Sequence, residues 1–163
     1  MWREKSVQGR YADKKNAPSF IYEILEGKAK FLLGRDVNHE QKIWRGISVD
    51  RHIPTKALDD LSRIEEIEIR STCEGSGPER PTFLIFRFRN PMDSDEINRF
   101  VRGMNTIEET VCGAETGNMG FYRIGVTAPL WYEKDKNKFT KWWLEMSTRI
   151  HVVLAVIQTL GSS

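Results

Sequence analysis

Cysteine is nearly absent from this sequence: the 163 residues contain two, Cys73 and Cys112. Two thiols do not make a disulfide framework, which excludes the stapled mini-scaffold of small secreted domains. Histidine is equally sparse. His39, His52 and His151 show no ligand-like spacing with one another or with the cysteines, so no metal and no cofactor are expected. Long hydrophobic runs are missing as well. The most apolar stretch, Ile150 to Leu160, is interrupted by His151 and Gln158 and is too short to span a bilayer. No basic segment followed by an apolar one opens the chain, so no secretion signal and no membrane partner are expected, and the expected location is cytoplasmic. There is no phosphate-cradling loop, no dinucleotide fingerprint and no Gly-x-Ser-x-Gly elbow, which argues against the commonest enzyme classes.

An excess of one charge is missing too. Lys and Arg number 25 against 23 Asp and Glu, a net charge of +2 that commits the chain to neither nucleic acid nor membrane. The distribution is uneven. Residues 1–45 carry ten basic against six acidic residues, 59–115 carry seven against thirteen, and 116–163 carry six against three. With 29% charged and 39% apolar residues, this is the composition of a folded globular chain. Its length suits one domain with a real core.

What is present centres on Ile67 to Arg89. Ile67, Ile69 and Ser71 alternate with Glu66, Glu68 and Arg70. Leu84, Phe86 and Phe88 alternate with Phe83, Ile85, Arg87 and Arg89. A period of two predicts two β-strands, each with one face for a core. Between them Gly75, Gly77, Pro78 and Pro81 predict a protruding loop. That loop is the candidate site. Thr72, Ser76 and amides near its glycines, with Arg80 as a clamp, suit an anion. Cys73 is a nucleophile candidate if a neighbouring cation such as His52 lowers its pKa, and Glu74 is a candidate acid or base. Arg51 and His52 complete the candidate set, with Asp50 beside them as a helper in the enzyme reading.

Before this pair, residues 1–17 read as a loosely ordered basic arm with Arg3, Lys5, Arg10, Lys14 and Lys15. Residues 20–33 fit a helix, with a hairpin turning at Glu26-Gly27 as the competing reading. Residues 35–53 read as a polar connection anchored by Trp44, Ile47 and Val49. A helix is expected from Pro54 on the face Ala57, Leu58, Leu61 and Ile64. After Pro91, Asp93 or Ser94 caps a second helix on Ile97, Phe100, Val101 and Met104. Ile107–Cys112 and Phe121–Ala128 are expected strands, with Gly113, Gly117 and Gly120 in the turn. The last helix is the strongest signal: Phe139, Trp143, Met146, Ile150, Val153, Ile157 and Leu160 recur every three or four positions, and Trp142 widens the stripe. So broad an apolar face predicts deep burial, or burial that includes a partner.

Together these give an α+β domain over 18–163. The expected architecture is a two-layer sandwich of a four-stranded, mostly antiparallel sheet (a ββαββα core) with helices on one face and an extra N-terminal helical region. Three functions stay open. The first is a binding or assembly module that oligomerises through Phe139, Trp142, Trp143, Met146 and Ile150. The second is a small enzyme using Cys73 and His52 in an anion-binding loop. The third is an RNA- or DNA-binding domain using Arg87, Arg89 and the basic arm, although cross-strand pairs such as Glu68 with Arg87 account for those arginines without a ligand. Thr72-Cys73-Glu74-Gly75, between two strands, resembles the Ser-Cys-x-Gly turn of the wybutosine-synthesis methyltransferases that modify transfer RNA. This chain has Ser76 where that family has a basic residue, and the resemblance implies no activity or binding residue here.

Overall fold

In a computed structural model of the chain, the structure describes residues 39–116 and 121–161. The expected arm at 1–17 and the segment 20–33 lie outside the described residues. Within them the order is β1 (Gln41–Trp44), β2 (Ile47–Asp50), α1 (Thr55–Ser62), β3 (Ile67–Cys73), β4 (Phe83–Phe88), α2 (Ser94–Asn105), β5 (Val111–Thr116), β6 (Tyr122–Thr127) and α3 (Lys136–Gly161). β3-β4-β6-β5 form one fully antiparallel sheet, and β1-β2 a separate hairpin. The fold is α+β with the ββαββα core that the alternation predicts.

One face of the sheet is the core. Ile67, Leu84, Phe86, Phe88, Cys112, Ala114, Ile124 and Val126 join the apolar stripes of all three helices there. α3 packs against both α1 and α2. Phe139, Trp142, Trp143, Met146 and Ile150 are all buried in this layer, so the width of the α3 stripe serves the chain's own core. α2 starts with a reciprocal capping box: Asp93 accepts from the Glu96 amide at 2.8 Å, and the Glu96 carboxylate accepts from the Asp93 amide.

The opposite face runs in rows across the strands: Cys73, Phe83, Thr127 and Val111; Ser71, Ile85, Gly125 and Gly113; Glu68, Arg87, Arg123 and Glu115. The expected Glu68–Arg87 cross-strand pair is present at 3.2 Å. Glu68 also meets Arg70 at 2.7 Å and Arg89 at 3.5 Å, and these cations hold its carboxyl below the usual range, its bond to Arg70 contributing most. Strand β3 departs from simple alternation. A bulge between Ile69 and Ser71 leaves Arg70 unpaired, so Ser71 lies on the Glu68 face rather than with Ile67 and Ile69.

Two expectations are corrected at element ends. Residues 41–50 form a hairpin instead of an irregular connection. Its two-residue turn, Arg45-Gly46, has positive φ at both positions (50° and 78°), the geometry that suits strand twist. Arginine at the first of these positions hides the turn from a sequence reading. β5 begins at Val111 rather than Ile107, because 106–110 coil back on the end of α2 through amides donated to Gly103, Met104 and Ile107. Asn105 then bonds both the amide and the carbonyl of Cys112, satisfying the free edge of β5. Gly113 lies inside the strand, opposite Gly125.

Thr82 ties the layers together. Its hydroxyl donates to the Cys73 carbonyl at 2.6 Å and accepts from the Trp143 indole N–H at 2.9 Å. Its amide donates to the Leu130 carbonyl at 2.7 Å, and its carbonyl accepts from Thr127 Oγ1 at 2.6 Å. The side chain is fully buried. Thr82→Val keeps the shape but orphans the indole N–H and a carbonyl. Urea unfolding should show a loss of about 2–3 kcal/mol, and Thr82→Ser should recover most of it.

Candidate functional site

β2 ends at Asp50 and β3 at Cys73, side by side, and a polar cluster forms where they meet. Asp50 Oδ2 pairs with His39 Nδ1 at 2.9 Å and accepts the Glu74 amide at 2.8 Å; Oδ1 accepts Gln41 Nε2. Cys73 completes the group: donor atoms of His39, Asp50 and Cys73 all lie within 4.8 Å of one another. The Gly75 amide points at the Cys73 sulfur at 3.4 Å. The His39 side chain is only 10% exposed; its Nδ1 faces Asp50, and the Gly75 carbonyl lies beside the ring.

The electrostatics follow from burial against pairing. Burial alone would lower the His39 pKa, but the bond and charge of Asp50, with Glu74 and the Gly75 carbonyl nearby, more than offset it and the net shift is upward. Burial alone would raise Asp50; His39, the Glu74 amide and Gln41 reverse that and hold it below the usual range. Cys73 has no such rescue. Burial, reinforced by the Asp50 and Glu74 charges against the partial relief of the Gly75 amide, pushes its thiol up to about 12. At neutral pH Cys73 is a thiol, not a nucleophilic thiolate.

The remaining candidates fall around this cluster. Glu74 is buried, and its carboxylate receives the His52 amide at 3.3 Å and meets His52 Nδ1 at 3.2 Å. The His52 ring stacks on Tyr132, with centroids 3.7 Å apart and planes within 10°. His52 is thus engaged by Glu74 and Tyr132, and the histidine beside Cys73 is His39. Arg51 turns to Glu40. Thr72 pairs with Leu84 on the core face, so it points away from Cys73. Ser76 donates its amide to the Arg80 carbonyl at 2.8 Å, and Arg80 bridges back to Gly77, closing the loop tip on itself. Gly75 has φ of +81°, and a Cβ there would sit 2.6 Å from the Thr82 nitrogen. The loop therefore turns the Glu74 carboxylate and the Cys73 thiol inward, and its Gly75 and Ser76 amides are taken by the Cys73 sulfur and the Arg80 carbonyl.

Sequence reasoning reached Asp50 as a helper of the loop but missed His39, Gln41 and Tyr132. His39 precedes, and Gln41 opens, a hairpin that was not legible, and neither is close in sequence to Cys73. Two surface grooves lie along α3: one of about 560 Å³ against Asp60, Arg63 and Glu66, and one of about 330 Å³ lined by His151, Val152, Ala155, Val156 and Thr159. The 72–80 loop lines neither of them. No protein-family model, no curated protein and no solved structure matches the chain, and the four-residue resemblance at Thr72–Gly75 gains no wider support.

Asp50→Ala strands three donors and should free the hairpin. Amide exchange across Gln41–Trp44 should accelerate and global stability should fall by about 3 kcal/mol. Gly75→Ala combines strained φ with a backbone clash and should cost about 2–3 kcal/mol in the same unfolding assay.

Proposed function

We propose that the protein is a binding and assembly module that self-associates through the outer face of α3. The observation that supports this is an exposed apolar stripe. Val152, Ala155, Val156 and Thr159 recur at the spacing of one helix face, and Val152 and Val156 are 53% and 54% exposed. From Ile150 to Gly161 the helix contains no Asp, Glu, Lys or Arg, in a chain that is 29% charged. A solvated helix face ordinarily carries such residues. The occupant that suits the stripe is a second copy of the chain. An uncharged strip offers nothing to a strongly charged partner, but it is complementary to itself about a twofold axis. Small Ala155 at the crossing would let the flanking valines of one protomer pack against those of its partner.

The five side chains first expected at such an interface are core residues, so the surface in this proposal is narrower and faces away from them. The other two readings draw less support. An enzyme at the loop would rely on a thiol that is 3% exposed and held protonated. Nucleic-acid binding would use arginines that Glu68 already gathers on the sheet. No helix among the described residues is long and apolar enough to cross a membrane.

Sedimentation equilibrium of the purified chain should give twice the monomer mass at tens of micromolar. Val152→Glu with Val156→Glu should return it to monomer at least about tenfold more readily in concentration, with Tm of the monomer unchanged, because both positions are exposed. A wild-type chain that stays monomeric at all accessible concentrations overturns the proposal.

A further inference from the structure

The cluster beneath the 72–80 loop has a chemistry that the assembly reading does not use. We propose that His39, Asp50 and Cys73 form a binding site for one Zn2+-class divalent metal ion. Imidazole, carboxylate and thiolate are the three donor types that such ions take from proteins, and the thiolate and imidazole select against Mg2+ and Ca2+. The three donor atoms already lie within 4.8 Å of one another, so contraction onto a tetrahedral centre needs side-chain adjustments of about 1 Å.

An independent feature points the same way. The His39 side chain is nine-tenths buried and held in place, its Nδ1 facing Asp50 Oδ2 at 2.9 Å and the Gly75 carbonyl beside the ring, the kind of backbone contact that orients a ligating imidazole. A metal ion in the cluster gives the imidazole a strong partner. The surroundings also resemble the outer layer of a metal site. Gln41 and the Glu74 amide hold the Asp50 carboxylate in place, and the Gly75 amide points at the sulfur, where it would stabilise a thiolate. Loading exchanges protons for metal. The Cys73 thiol proton and the proton shared by His39 and Asp50 leave to solvent as the dication enters, so charge in the buried cluster stays nearly balanced. Three protein donors leave further positions for water, the usual arrangement of an open site.

The three residues come from the segment before β1, the end of β2 and the end of β3. No short spacing motif could disclose them. This inference is separate from self-association, and either can fail alone.

Chelator-stripped full-length protein titrated with Co2+ tests it. The expected result is one equivalent bound, with the near-ultraviolet band of a thiolate–Co2+ bond and the visible bands of tetrahedral Co2+, both displaced by Zn2+. Saturating Zn2+ should raise Tm by at least about 4 °C. Cys112→Ser should leave the band intact, since Cys112 lies on the core face of the sheet. Cys73→Ser should abolish it, and His39→Ala should weaken Zn2+ at least about tenfold. Should the Cys73 variant not fold, X-ray absorption on the Zn2+-loaded wild type decides, with one sulfur and otherwise nitrogen and oxygen expected. No thiolate band in the wild type, a band lost with Cys112, or zero or two sulfurs around zinc overturns the inference.

Discussion

A carboxylate taken out of water must be met by donors, and Asp50 is the point where this requirement shapes the molecule. It sits at the end of a short hairpin with little apolar surface of its own: Ile43 and Ile47 face solvent, Val49 reaches the core, and Trp44 packs half-buried against it. Such a hairpin is marginal by itself. Asp50 anchors it by gathering His39, Gln41 and the Glu74 amide, thereby joining three segments at one buried oxygen pair. Trp44 adds a second tether through its indole bond to Asp59 on α1. The hairpin is held to the body by polar groups, so its position depends on their being satisfied together.

The same corner of the sheet holds the other buried polar hub. Thr82 follows the loop that Cys73 starts, and its hydroxyl joins the Cys73 carbonyl to the Trp143 indole. The loop is thereby fixed at both ends: by Asp50 on one side and by α3 on the other. This explains how a nine-residue, glycine- and proline-bearing connection comes to have buried side chains at its base while its tip closes on a Gly77–Arg80 bridge. The Cys73 and Glu74 side chains are thereby turned inward beneath the loop tip, while the exposed apolar stripe lies elsewhere, on α3.

Much of the architecture was legible because single residues carried unambiguous periods. Leu84, Phe86 and Phe88 lie on the core face as their alternation requires, Asp93 caps α2, and Glu68 pairs with Arg87. The α3 stripe was legible as apolar, but not which side of it was spent on the core: Trp142 and Trp143 point inward, while Val152 and Val156 point outward, and the sequence holds no sign of the difference. The hairpin escaped notice because Arg45 occupies a left-handed position usually given to Asn, Asp or Gly. At the site, Cys73, Glu74 and Asp50 were visible as candidates, whereas His39, Gln41 and Tyr132 were not. His52, near enough in sequence to suggest itself, went to Glu74 and Tyr132. The residue that reached Cys73 was His39, brought there by a strand pairing that no local pattern announced.

The bulge at Arg70 has a bearing on all of this. Before it, β3 points Ile67 and Ile69 at the helices; after it, Thr72 takes that side and Cys73 the other. Were Arg70 instead paired in the ladder, with no bulge, every later residue would change sides: the thiol would turn to the hydrocarbon layer, and Thr72 would take the face that Cys73 now holds. A single unpaired residue thus sets the parity of the strand, and with it which chemical group the carboxylate meets.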